Sequence, residues 1–342
     1  MDNGILSLAV QMMTQGKQNF SYYDKKADRT YNFAEATTVL RNALIEANGG
    51  SDKFNYKNYR RNKIEIFEII EELVPVIVEE GLKGDEFFMN FVEERNLALG
   101  DDAEFYAPDN TTFIVTKIAR GIATPDRQRL DHGRKVTVST AAHAVRAYEE
   151  FARFMAGRID WPALCAKVAK SFMVAIWEDI FTAFAGIDQN TLGLSSTYVK
   201  AGTFTAADLN ALIEHVEAAT GERAVLIGTK AALAKCEGSE KADSAKESMH
   251  NAGFYGMFDG TPMVMIHQQH KAGTEQFLFA DNVVYVVAAS DKFIKLVHKG
   301  ETIVDDRDFT ENSDMTIEYR MIMEWGVALL ITGKIGKYTI TA

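Results

Sequence analysis

The chain has 342 residues, 47% hydrophobic and 25% charged, a balance that gives a folded protein with a large core or two compact units and excludes wholesale disorder. Its 37 lysines and arginines face 48 acids, and the net charge of -11 opposes a protein built to grip nucleic acid through its phosphates. Two cysteines, Cys165 and Cys236, cannot make a disulfide framework and read as small buried hydrophobes of a reducing compartment.

Met1 to Val10 is acidic, lacks a basic region and is too briefly apolar for a signal peptide. No run approaches the roughly 20 apolar residues of a membrane helix, so the sequence predicts a chain that stays in the cytosol. From Phe20 to Lys63 tyrosine, asparagine, lysine and arginine dominate, with a helix over Phe33 to Ala47 stopped by Asn48, Gly49 and Gly50. This segment reads as an arm that packs on something else. From Lys63 to Glu80, Ile66, Ile69, Ile70, Leu73, Ile77 and Val78 recur at helical spacing, with Glu65, Glu68, Glu71 and Glu72 on a solvated face and a kink or break expected at Pro75.

Between Gly100 and Ala144 two extended segments, Thr111 to Arg120 and Arg134 to Thr140, flank a charged, turn-rich centre with Pro125-Asp126 and Asp131-His132-Gly133. The pattern predicts a long two-stranded ribbon, which is marginal alone and needs a partner surface from its own chain or a neighbour. Next comes the strongest helix, opened by Asp160 with Pro162 in its first turn and ended by Gly186, about 37 Å long at roughly 1.5 Å per residue. Leu164, Val168, Phe172, Met173, Ile176, Trp177, Ile180, Phe181 and Phe184 form its apolar face.

From Gly202 to Asp308 the chain reads as a separate α/β section. Thr205 to Asp208 opens a helix as a capping box, with Leu209, Leu212, Ile213 and Val216 on its buried side and Gly221 past its end. Ala224 to Ile227 is a short buried strand, Lys230 to Cys236 a second helix, and Glu237 to His250 a polar loop. Further strands are expected at Gly260 to Ile266, Phe277 to Val287, Phe293 to Val297 and within the closing stretch Asp314 to Thr341. None of these strand ends carries a nucleophile, a metal cluster or a phosphate-cradling loop.

The order of parts resembles the major capsid proteins of tailed bacteriophages, the HK97-like fold family that encapsulins share. The local likeness is carried by Ala224 to Cys236, by Tyr255-Gly-Met-Phe-Asp-Gly-Thr-Pro-Met-Val264, by Leu278-Phe-Ala-Asp-Asn-Val-Val-Tyr285, and by Met315-Thr-Ile-Glu-Tyr-Arg-Met-Ile-Met-Glu-Trp-Gly-Val-Ala-Leu329. The resemblance implies an α+β, HK97-like capsid fold. Its parts are an N-terminal arm and helical segment (1–99), an extended β-ribbon loop over an adjacent subunit (100–144) and a peripheral domain with a spine helix (145–201). An axial domain (202–308) and closing peripheral strands (309–342) complete it. It implies self-assembly into hexamers and pentamers of an icosahedral virion head, formed in the bacterial cytoplasm and enclosing double-stranded DNA without specific recognition. A scaffolding protein, a portal and decoration proteins are the implied partners, with no cofactor and no membrane. An encapsulin-like nanocompartment shell is the structural alternative.

Some members of that family crosslink a ribbon lysine to an asparagine, with a glutamate seven residues further on as base. Lys117 and Lys135 could supply the amine, but Asp314 stands where the asparagine belongs and Met321 where the glutamate belongs, with Asn312 and Glu318 nearby but displaced. Chemistry this dependent on position is not expected here. His267 and His270 could suggest a metal pair, and a soluble α/β metalloenzyme built on them is the alternative of a different class, but no third ligand stands at a recognisable spacing. Asp305-Asp306-Arg307-Asp308 lacks the glycine and distal glutamate of a calcium loop and reads as a solvated turn or an intersubunit salt-bridge patch. Gly228-Thr229-Lys230 is a strand-to-helix turn, and Ser195-Ser196 a polar turn after a helix. The chain reads as a non-enzyme with no catalytic, cofactor-binding or metal-binding residues.

Overall fold

The computed structural model describes residues 74–107, 133–150, 161–187, 195–236, 251–290, 292–307, 316–331 and 334–341, residues 113–115, 117 and 127–129, and short stretches and single positions before residue 74. In the arm, β1 (Tyr22–Asp24) and β2 (Arg29–Tyr31) form an antiparallel hairpin. Described positions 35, 36, 38, 39, 42 and 46 are helical, in line with the helix expected over Phe33 to Ala47. Asn32 opens it with a reciprocal box: its Oδ1 accepts from the Glu35 N–H at 2.9 Å while Glu35 Oε2 accepts from the Asn32 N–H at 3.1 Å. Leu8, Met12 and Ala36 are buried there, with Tyr22 and Tyr31 packed against them, so the arm has a small core of its own.

Residues 74–83 are helical, three residues beyond the expected end at Glu80, and the run passes through Pro75. Val74, Ile77, Val78 and Leu82 are its buried stripe; the expected core positions Ile66, Ile69, Ile70 and Leu73 lie outside the described residues. A short helix, α1 (Glu86–Phe91), follows at once, capped by Asp85 Oδ1, which accepts from the N–H groups of Phe87 and Phe88. Its phenylalanines 87, 88 and 91 are buried and lead directly into β3 (Val92–Leu97).

The ribbon departs from expectation. Its base pairs β4 (Ala103–Ala107) with β5 (Arg134–Val138), Phe105 opposite Val136, whereas residues 113–115 and 117, the described part of the expected strand Thr111 to Arg120, are not in a strand. The extended chain then runs past Ala144 as β6 (Ala141–Glu150), which joins another sheet. The long helix, α2 (Trp161–Ala185), has the expected bounds and buries Ala169, Phe172, Ile176, Trp177, Ile180 and Phe184.

After it come β7 (Val199–Gly202), α3 (Ala206–Thr220), β8 (Ala224–Thr229), α4 (Lys230–Leu233), β9 (Met257–Phe258), β10 (Thr261–Ile266) and β11 (Val283–Ala288). The chain ends with β12 (Ile294–Lys299), β13 (Ile303–Arg307), β14 (Thr316–Leu329) and β15 (Gly336–Ile340). Helix α3 has the caps that the sequence predicts. Thr205 Oγ1 accepts from the Asp208 N–H, and Gly221 closes the helix at φ 73°, a left-handed position that favours glycine. The expected loop Glu237 to His250 lies outside the described residues.

Two sheets organise the molecule. One has six strands in the order β7-β15-β11-β8-β10-β9, with β8/β10 and β7/β15 parallel. Alternate residues of β8 and β11 face opposite sides: Leu226, Val284 and Val286 meet Leu209, Leu212 and Val216 of α3, while Ile227, Tyr285 and Val287 share a core with α2. That double burial explains the uninterrupted apolar strands. The other sheet has five strands, centred on β14, with β6 on one side and β12 and β13 on the other. At about 3.4 Å per residue β14 is about 48 Å long. Strands β12 and β13 are one line interrupted by a bulge, since the five steps from His298 to Ile303 face the three from Trp325 to Ile322, with Gly300 at φ 73° in the bulge.

The expected boundary between 308 and 309 is not a sheet boundary. β12 and β13 belong with β14, and β15 crosses to pair with β11, so the section from Gly202 to Asp308 is not separate. Asp305, Asp306 and Arg307 are therefore strand residues in β13 rather than a turn. The two sheets meet α2 in one core, where Trp325 of β14 is fully buried, stacks on His143 of β6 at 3.7 Å and donates its indole N–H to Asp179 of α2 at 2.8 Å.

Candidate assembly surface

The ribbon base shows how this chain solves the problem of an underburied hairpin. β4 alternates, with Ala103, Phe105 and Ala107 buried and Glu104 and Tyr106 exposed. The inward set joins Val138 of β5 on Val297 of β12 and on Leu330 just past β14, so the ribbon's first partner is its own chain. Gly133 opens β5 at φ 70°; a Cβ there would overlap the Ala107 carbonyl and come within 2.7 Å of the Tyr106 hydroxyl.

Charges tie the same base down. Glu93 of β3 accepts from Arg95 Nε at 2.8 Å and Nη2 at 2.6 Å, and it also pairs with Lys295 of β12, whose side chain is largely buried. The Arg95 guanidinium lies 4.1 Å from the centre of the Phe105 ring, and Nη1 reaches the Glu104 carbonyl at 3.4 Å. Lys295 Nζ is 5.5 Å from the same ring centre. Lys135 of β5 pairs with Glu104. Burial alone would push the Glu93 carboxyl up, but hydrogen bonds from Lys295 and Arg95 hold it below the usual range.

Beyond the base the ribbon turns apolar side chains to solvent: Ile114 is 73% and Val115 93% exposed, with Phe113 also exposed. Gln128 holds the two arms together, accepting from the Ile114 N–H at 2.7 Å and donating to its carbonyl at 2.8 Å. Lys117, Arg127 and Arg129 are exposed beside them. A projecting segment with uncovered aliphatic and aromatic side chains is a surface suited to another protein. Tyr148 of β6, 72% exposed, adds to the apolar surface on the five-stranded sheet.

The residues that could have carried chemistry are otherwise engaged. Met321 is core; Glu318 accepts from Arg146 Nε at 2.9 Å; Asn312 and Asp314 lie outside the described residues. His267 Nδ1 is 3.2 Å from Asp85 Oδ2, at the cap of α1, and His270 stacks on Phe277 at 5.2 Å. Among the described residues no group of three or more histidines, cysteines and acids could hold a metal ion. Asp305 pairs with Arg320 at 2.6 Å across β13 and β14. Thr229, the last residue of β8, caps α4 by accepting from the Ala232 N–H, so the chain passes directly from strand to helix there, and Ser195 Oγ lies 3.1 Å from Thr197 Oγ1 in a turn. A cleft of about 700 Å³ between residues 71–79 and strands β3, β12 and β14 is lined by Glu71, Glu79, Glu94, Glu301 and Glu324. There His298 Nε2 stands 3.2 Å from Glu94 and, with a hydrogen bond as the main cause, holds that carboxyl below the usual range. Cys236 is buried, and burial pushes its thiol up to about 12. No helix among the described residues is long and apolar enough to cross a membrane.

The Arg95, Glu93, Phe105 and Lys295 cluster escaped the sequence reading. Its local signals are the alternation of Ala103, Phe105 and Ala107 with polar neighbours and the two-residue spacing of Glu93 and Arg95 on β3; only the fold brings β4 and Lys295 of β12 to them.

A family model described as "SPbeta prophage-derived putative capsid protein YonB" matches residues 10–339. No curated protein matches the chain. Among solved structures, the mature capsid of bacteriophage PhiM1 is similar at 11% identity and a TM-score of 0.48, covering 75% of this chain and 87% of that one. A chain of Microbacterium phage Oxtober96 follows at 12% and 0.46, covering 75% and 90%, and a virus-like particle from Pyrococcus furiosus at 12% and 0.45, covering 79% and 98%.

Proposed function

We propose that this chain, which belongs to the family of the SPbeta prophage-derived capsid protein YonB, is a major capsid protein that assembles into the icosahedral head of a tailed bacteriophage. The observation that carries this reading beyond family membership is the ribbon. It is anchored at its base to its own chain, yet it carries Phe113, Ile114 and Val115 exposed. Apolar side chains held out in this way find cover in a neighbouring copy, and a contact between unlike surfaces of identical subunits closes into a ring when the rotation between copies divides a full turn.

In the HK97-like arrangement, α2 is the spine of the peripheral domain, which takes in β3, β6, β12, β13 and β14. The sheet of β7 to β11 with β15, covered by α3, is the axial domain that meets its copies at the centres of hexamers and pentamers. The ribbon lies over an adjacent subunit. Many modest contacts repeated around a closed shell then give avidity that no single interface supplies. The net charge of -11 suits a container whose packaged double-stranded DNA is enclosed rather than bound. A separate scaffolding protein, a portal and decoration proteins are the partners of such a head, assembled in the bacterial cytoplasm, and the chain acts without catalysis.

Electron microscopy and sedimentation of the protein, alone and with a candidate scaffolding protein, test this. Closed shells or rings of five and six are expected, and a homogeneous small oligomer in both conditions would sink it. Removal of residues 108–132, with a two-residue turn joining Ala107 to Gly133, keeps the anchored base and should leave a folded subunit unable to form stable shells. Val138 must stay, because it packs under the base. Intact particles from that variant would contradict the ribbon's role. Shells filled with one protein and free of DNA would move the reading to an encapsulin-like compartment.

A further inference from the structure

We propose that Arg95 is a bolt that fixes the direction of the ribbon before any second subunit arrives. The ribbon base is a separate two-stranded sheet, joined to the five-stranded sheet by backbone only through residues 98–102 and through Ser139 and Thr140. Two covalent joints and a strip of apolar contact would let such a hairpin rock, since apolar packing has little directional preference. Arg95 supplies direction. Two of its nitrogens hold Glu93 on its own strand, a third points to the Glu104 carbonyl of β4, and its flat face covers the Phe105 ring. Lys295 extends the chain of charges to β12 through Glu93, and Glu104 extends it to β5 through Lys135. The charges thus run across four strands, β12, β3, β4 and β5, and link the sheet to both arms of the ribbon.

A guanidinium is required, because only a planar fork can donate in two directions while stacking on a ring; an ammonium at the same place keeps the charge and loses the geometry. The device matters for assembly on the capsid reading, where a pre-aimed ribbon avoids the ordering cost that a swinging one incurs at each contact. The inference itself concerns the isolated subunit and is tested there.

Hydrogen exchange of the full chain, read by mass spectrometry below the concentration at which it assembles, compares wild type with Arg95→Lys and Phe105→Leu. Both variants should speed exchange of 103–107 and 134–138 by about tenfold, leaving β11 and β14 at wild-type rates. Unchanged ribbon exchange in both variants would overturn the proposal. So would an equal rise in β11 and β14, which would mark general destabilisation rather than a freed ribbon. Because no shell is needed, a failure here and a failure of the capsid reading are told apart by the particle measurement above.

Discussion

Trp325 is the joint between β6, β14 and α2, and its replacement by Ala and by Phe separates packing from hydrogen bonding. The indole is fully buried, stacks on His143 at 3.7 Å, meets the edge of Phe172 at 5.8 Å and donates to Asp179 at 2.8 Å. Truncating a buried tryptophan to alanine costs about 3–5 kcal/mol, and the upper half applies here because a paired strand and a long helix wall the cavity and cannot close it. Trp325→Phe keeps most of the apolar contact and the stack but deletes the donor. The Asp179 side chain is 41% exposed and can turn to water, so this loss is about 1–2 kcal/mol. Urea unfolding of the unassembled subunit, followed by far-UV circular dichroism and by the fluorescence of Trp161 and Trp177, measures both changes. The alanine variant should be the weaker by about 3 kcal/mol. Equal losses, or an alanine loss below about 1 kcal/mol, would mean that these three elements do not share a core at Trp325.

Two further outcomes are expected. Glu93 and Glu94 have folded pKa values below their unfolded ones, so each contributes stability that is full above the unfolded value, near pH 4.3, and is lost as pH falls through the folded value. Acid titration of the unfolding free energy should therefore show a decline beginning near pH 4.3 that is shallower in Glu94→Gln, and an unaltered slope in that variant would remove Glu94 from the account. Cys236 should resist iodoacetamide at about pH 8 in the native subunit, because its thiol is buried and titrates near 12, and should label once urea exposes it. Peptide mass spectrometry reads the difference, and prompt native labelling would contradict the burial.

The sequence carried the helices well, because their ends are chemical. Pro162 and Gly186 bracket α2, and Thr205 and Gly221 bracket α3, so the bounds follow from local capping alone. Strand partners are another matter. Ala141 to Glu150 holds four alanines and has little intrinsic preference for a strand; it is extended because Ala141 to Glu150 lines up with Trp325 to Thr316 along the whole ladder. The ribbon was visible as a feature but not in its register, since Val136 finds Phe105, which lies upstream of the expected partner segment. Nothing local to Arg95 marks its role, which depends on β4 and β12 being brought to it.

The interleaving of the sheets bears on what the subunit can do. The chain passes from β11 in one sheet to β12 and β14 in the other and returns with β15, and α2 packs against both. A division between the sheets would strip β15 from the first, or would have to break the core that Tyr285, Phe293, Phe184 and Trp325 share. On the proposed capsid reading, adjustment between neighbours in a shell comes from parts that this core does not hold, and the ribbon is one of them, with Phe113, Ile114 and Val115 exposed. On that same reading the topology divides the labour: the interlocked sheets resist deformation, and the segment outside them makes the contact.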